Sequence, residues 1–151
     1  MSTRSRWNRP RARRGNVVVE FGLAFPLLLT FMSGMFQYGY GFFLYNQLQS
    51  VVRAGARYAS TADFDSAGGG ATFQSNVKNM VVYGTSSAGT TPLVRGLTTA
   101  NVTVTWQADG AGIPQTITVN IANFIINAVW GSITLSDKPR ATYIYLGQFL
   151  S

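Results

Sequence analysis

At 151 residues the chain has room for one domain at most, and a membrane-length segment near its start leaves only about 90 residues for a separate globular part. The formal charge of +7 comes from 12 Lys and Arg against five Asp and Glu, and cysteine and histidine are both absent. Those absences exclude disulfides, zinc sites of the Cys/His type and histidine acid–base catalysis. Of the five acids only Asp63 and Asp65 are close together, in a Gly/Ser-rich stretch where acids act as turn formers. The chain therefore reads as a non-enzyme with no catalytic residue, cofactor or metal site.

The positive charge is concentrated at one end. Arg4, Arg6, Arg9, Arg11, Arg13 and Arg14 hold half of the basic residues within the first 14 positions. From Asn16 onward, six basic residues face five acids. A nucleic-acid surface needs Lys and Arg spread over a folded face, so nucleic acid is excluded as a partner. Residues 1–15 are read instead as a basic cytoplasmic leader.

Residues 16–62 follow as a membrane-spanning and extended helix. From Val17 to Tyr45 the only formal charge is Glu20, and Phe21 to Phe36 is almost wholly apolar. With its flanks this run reaches the roughly 20 residues that a helix needs to cross a bilayer. The excess of arginine before the span keeps the amino end inside, placing the carboxyl-terminal module outside a cytoplasmic membrane. Tyr38, Tyr40, Phe42, Phe43 and Tyr45 suit the far interface, where amphipathic rings prefer the headgroup layer. A secretory signal peptide shares the basic start and apolar core, but this run is longer than an h-region, carries a charge and is followed by no small-residue cleavage site. Pro26 removes one helical hydrogen bond and either bends the helix between Gly22 and Pro26 for a purpose or kinks it incidentally.

Beyond the span, Leu44, Leu48, Val51 or Val52, and Tyr58 keep helical spacing. Ala54, Gly55, Ala56 and Ala59 permit close approach of another helix or a sheet. Arg53 and Arg57, four apart, share a face that meets an acidic partner, lipid headgroups or simply solvent.

The stretch from Arg13 to Ser60, with "RRG" leading to "VEF", "PLLL" in the apolar run and "VVRAGARYA" near its end, resembles the amino-terminal signature of TadE-like proteins. These are minor pseudopilins of tight-adherence (Flp-type) pilus systems. The resemblance implies cleavage by a prepilin peptidase after Gly15, exposing Asn16, with Glu20 five residues beyond the cut and Phe21 where the major pilin often has tyrosine. It also implies pilin-like subunits and the pilus assembly machinery as partners, beside the peptidase and the lipid bilayer. A new ammonium on Asn16 would lie one helical turn from Glu20, and paired charges at a membrane edge cost less than either alone. Glu20 otherwise reaches interfacial water. Glu20, Pro26, Arg53 and Arg57 are the expected assembly contacts.

Residues 63–100 read as Gly/Ser-rich loops around one short helix, "FQSNVKNMVVY", ending before Gly84; "TSSAGTTPLVRGLTTA" reads as a turn-rich, mobile connection. Residues 101–151 form an antiparallel β module from three alternating runs, Asn101 to Ala108, Gln115 to Ala122 and Arg140 to Gly147. The short "DGAGIP" connector makes the first two a hairpin. Phe124, Ile125, Ile126 and Trp130, between the last two runs, either close the small core or form a contact patch, the core being favoured.

The fold class is α+β: a long amino-terminal transmembrane helix continuing into a small module with a three- to four-stranded antiparallel sheet. The expected function is structural, as a minor pseudopilin in a Flp-type pilus or its assembly complex. The alternative is a signal-anchored module that stays in the membrane and presents its sheet to an extracytoplasmic ligand.

Overall fold

The computed structural model describes residues 14–66, 68–110, 112–128, 131–147 and 149–150, with side chains described from Val17 onward except at Ala128, Phe149 and Leu150. The arginine leader before Arg14 and the expected packing of Trp130 lie outside the described residues. The chain divides into two units, residues 1–38 and 39–151.

Helix α1 (Arg14–Thr61) runs for 48 residues and contributes to both units. In the first unit the helix has no buried stripe: Val17, Phe21, Leu23, Leu28, Phe31 and Phe36 are all exposed. Apolar side chains all round a helix are what a lipid environment requires. Helix α1 has the length and composition of a single-pass membrane anchor. Pro26 lies inside it without ending it, and the Thr30 hydroxyl donates 2.8 Å back to the Pro26 carbonyl.

The second unit is built around the other half of α1. Leu44, Leu48, Val52, Ala56 and Ala59 recur at helical spacing and are buried, so this half presents one stripe to a core. Helix α2 (Ala71–Tyr83) packs so close that a Cβ on Gly55 would collide with Val81 Cγ2. Glycine is what permits that approach, since any larger residue would force the helices apart. Phe73, Val77, Val81 and Val82 supply the buried face of α2, and Gly84 in the left-handed conformation ends it, with its N–H on the Met80 carbonyl.

The start of α2 is organised by Asp65. Gly70, the residue before the helix, offers no side chain to satisfy the first free N–H groups. The Asp65 carboxylate accepts from Thr72 N–H at 3.3 Å and from Phe73 N–H at 3.1 Å instead. Those donors, Phe73 first, hold its carboxyl below the usual value of 3.8 against a smaller opposing effect of desolvation. Gly70 has a positive φ of 73° and lies under the Phe64 and Trp106 rings, so the turn needs glycine on both counts.

Strands β2 (Val102–Ala108), β3 (Pro114–Ile121) and β6 (Arg140–Ile144) form an antiparallel sheet with β3 in the centre. The β2–β3 connector is held by Asp109, whose carboxylate accepts the Ile113 N–H at 2.9 Å. Val102, Val104, Ile117, Val119 and Ile121 are buried on one face. The other face carries Thr103, Thr105, Thr118 and Thr142, with a 2.8 Å hydrogen bond between the Thr118 and Thr142 hydroxyls across β3 and β6.

Several features of the module depart from the sequence expectations. The stretch between β3 and β6 is not a connector: β4 (Phe124–Ala128) and β5 (Gly131–Leu135) pair antiparallel as a separate ribbon. Phe124 and Ile126 enter the core while Ile125 is 53% exposed, because successive side chains of a strand point to opposite faces. The expectation that the whole apolar run closes the core holds for two of its three described residues. The connection after α2, expected to be mobile, contributes Val94 and Leu97 to the core, and the Leu93 N–H reaches the Val82 carbonyl at 2.7 Å. A two-residue parallel pair, β1 (Phe64–Asp65) with β7 (Phe149–Leu150), was not foreseen. Two-residue strands leave no periodicity to read.

Candidate assembly sites on the long helix

Gly15 and Asn16 lie in the first turn of α1, so the expected cleavage position falls within helical backbone. Glu20 is exposed on the next turn, four residues from Asn16 and on the same face. Among the described residues no hydrogen bond or ion pair engages Glu20. Phe21 is 64% exposed and stacks on Phe25, with ring centroids 5.5 Å apart. Further along, Leu27, Thr30, Phe31, Gly34, Met35 and Tyr38 line a shallow, almost wholly apolar groove on the helix surface. Pro26 sits one residue before this groove and contributes its carbonyl to Thr30.

Arg53 and Arg57 lie on the part of α1 that belongs to the second unit. Both are exposed, and with Ala54, Tyr58, Thr61 and Tyr143 they line one groove. Tyr143 comes from β6, where it pairs with Ile117 across the sheet. Helical spacing brings the two arginines together; no local signal in the sequence announces that a tyrosine more than 80 positions later joins them. Among the described residues neither guanidinium has an acidic partner. The ion pair between Arg140 and Asp137, 3.7 Å, lies beside the threonine face of the sheet.

These positions fall into two groups. Gly15, Asn16, Glu20, Phe21 and Pro26 belong to the first unit, and Arg53 and Arg57 to the second. The first group is a lone acid in an apolar helix; the second is a cationic groove floored by a helix and edged by a tyrosine. Neither brings together a nucleophile, a base and an oxyanion donor.

The family model described as "TadE-like protein" matches residues 15–57. That segment starts at the expected cleavage glycine and ends at the second arginine. Over these residues, less than half of the chain, the sequence is similar to TadE-like proteins. The TadE-like match ends within α1, before α2 and the sheet begin. No curated protein and no solved structure matches the chain.

Proposed function

We propose that this chain is a pilin-like structural subunit, a minor pseudopilin that joins a tight-adherence pilus or its assembly complex and performs no catalysis. The observation that carries the reading is Glu20: one exposed carboxylate without a partner among the described residues, near the start of an apolar stretch, Val17 to Tyr45, that carries no other formal charge and lies inside the segment similar to TadE-like proteins. A carboxylate there costs a few kcal/mol unless a cation meets it. Cleavage after Gly15 by a prepilin peptidase creates such a cation on Asn16, one turn away on the same face. Pairing with the ammonium of a neighbouring subunit sets the axial register of adjacent helices, because a buried ion pair penalises every register that leaves either charge alone. The groove at Leu27, Phe31 and Met35 receives a neighbour's apolar side chains, and Arg53 and Arg57 hold an acidic group on that neighbour.

In this reading the arginine leader stays in the cytoplasm and the sheet module lies on the other side of the cytoplasmic membrane. Ser87 is exposed, and a cysteine placed there is unique in the chain. It labels with a membrane-impermeant maleimide on cells whose cytoplasmic membrane is intact.

The deciding experiment uses Glu20→Gln at matched expression. The variant inserts into the membrane as well as wild type and loses co-purification with the pilus machinery and surface pili together. Wild-type recovery of both removes the assembly role of Glu20 and leaves the signal-anchored binding module as the better account. Amino-terminal sequencing supplies the second arm: a mature chain beginning at Asn16, and an unprocessed Gly15→Val variant, support peptidase recognition.

A further inference from the structure

The two edges of the three-stranded sheet differ. Strands β2 and β6 flank β3, so each has one side without a neighbouring strand among the described residues. On β2 that side is partly engaged by α2, where the Gln74 amide donates to the Val104 carbonyl at 3.2 Å. On β6 the ladder with β3 uses alternate residues: the Tyr145 N–H donates to the Gln115 carbonyl, and the Pro139 carbonyl accepts the Ile121 N–H. The alternation of an antiparallel ladder turns the N–H and C=O groups of Arg140, Thr142 and Ile144 away from β3. The Leu146 N–H, next in that outward series, donates to the Ser60 carbonyl of α1 and closes the edge at one end. Arg140, Thr142 and Ile144 remain, all three exposed.

This edge lies beside the cationic groove. Tyr143, between Thr142 and Ile144 in sequence, lines that groove with Arg53, Arg57 and Thr61. An open strand edge binds extended peptides through the backbone and selects them by side chains at alternate positions. A strand added about 4.8 Å from β6 sets one residue opposite Tyr143, on the face that carries α1, and its side chain enters the groove. Two guanidiniums with no acidic partner among the described residues call for a carboxylate at that position. The residues on either side of it fall on the other face, beside Thr142 and the exposed Ile144, where β-branched side chains fit. A strand of a second copy does not supply the acid, because β2 to β6 contain no Asp or Glu.

We propose that β6 takes up an extended acidic segment of a partner protein as the fourth strand of the sheet, with one carboxylate, opposite Tyr143, held by Arg53 and Arg57. The inference deepens the assignment of these arginines to an acidic group on a neighbour and rests on it; the role of Glu20 is separate.

The probe is a capped seven-residue peptide of alternating valine and threonine with glutamate at its centre. It is added to the full chain in detergent micelles and read by NMR-detected amide hydrogen exchange. In the free chain Thr142 and Ile144 exchange fast and Tyr145 slowly; the peptide slows Thr142 and Ile144 several-fold. A glutamine version of the peptide binds at least about tenfold more weakly. Arg53→Gln combined with Arg57→Gln removes that difference without moving the melting temperature. N-methylation of one alternate set of peptide amides abolishes binding and of the other set does not, as a strand held along one edge requires. Equal binding of the two peptides to the wild-type chain overturns the proposal, and so does no binding at millimolar peptide. Binding that leaves Thr142 and Ile144 exchange unchanged overturns strand addition and leaves a simple anion groove. None of these outcomes alters the result for Glu20→Gln, so failure here is distinguishable from failure of the pseudopilin reading.

Discussion

The two halves of α1 share one secondary structure and almost nothing else. Before Tyr38 every large apolar side chain described is exposed, in no stripe, and a Cβ on Gly22 or Gly34 would meet nothing within 4 Å. From Leu44 to Ala59 the apolar residues keep helical spacing, and Gly55 is so closely packed that a methyl group has no space. The first half satisfies its surroundings by composition, since lipid asks only that side chains be apolar; the second does so by geometry, since a protein core asks for particular shapes at particular positions. Glycine shows the contrast most plainly: in one half it is spare room on a surface, in the other a contact.

That contrast can be broken by paired substitutions read on the full chain in detergent. Leu48 is fully buried and Leu28 is 57% exposed. Leu48→Ala should cost the module about 2 to 5 kcal/mol in denaturant unfolding, by lost transfer free energy and the cavity left behind. Leu28→Ala should leave that unfolding where it was. Equal effects would mean that both halves are packed, or neither.

A smaller effect is expected from adding a methyl group. Gly55→Ala forces Val81 aside and should destabilise the module by about 1 to 3 kcal/mol. Gly34→Ala meets open space and should cost nothing in the same assay, alanine being the better helix former. A neutral Gly55→Ala would show that α1 and α2 are not held at this separation.

The smallest effect concerns how α2 starts. Asp65→Asn keeps the shape and removes the charge that the Thr72 and Phe73 N–H groups favour, so the melting temperature should fall by less than for Gly55→Ala. The sign with pH is fixed by the depressed carboxyl. Its contribution is complete above the ordinary value of 3.8 and is lost as pH falls through the lower folded value. Wild-type and Asp65→Asn melting curves should converge in strong acid and separate as pH rises through the carboxylate range. A constant difference down to that limit would show that the carboxylate is not the helix cap.

What the sequence disclosed follows the same division. The apolar span, the spacing at Leu44, Leu48 and Val52, the end of α2 at Gly84 and the β2–β3 hairpin were legible because each depends on residues close in sequence. Asp65 was read as a turn former, because nothing near it announces donors seven and eight residues ahead. Val94 and Leu97 were hidden in a stretch whose Gly, Ser and Thr content signals a loop, and a loop can still send two side chains inward. The β4–β5 ribbon was missed because "FIINAVWGSITL" offers no Asn-Gly or Asp-Gly turn between its strands. Of the expected site residues, Glu20 stood out by charge alone and Arg53 with Arg57 by spacing, while Tyr143 joins the arginines only through the fold.

One feature near the end of α1 bears on mechanics. The Leu146 N–H donates to the Ser60 carbonyl at 2.7 Å, the Tyr145 hydroxyl donates to the Ala62 carbonyl at 3.0 Å, and β1, just beyond the helix, runs parallel to β7. The last turn of the helix is thus stitched to the chain that leaves the sheet, more than 80 residues later. Tension delivered along α1 would reach this seam together with the loop after Thr61, so that the Ser60, Ala62 and β1–β7 hydrogen bonds would share the load. A chain pulled by this helix would carry the module with it.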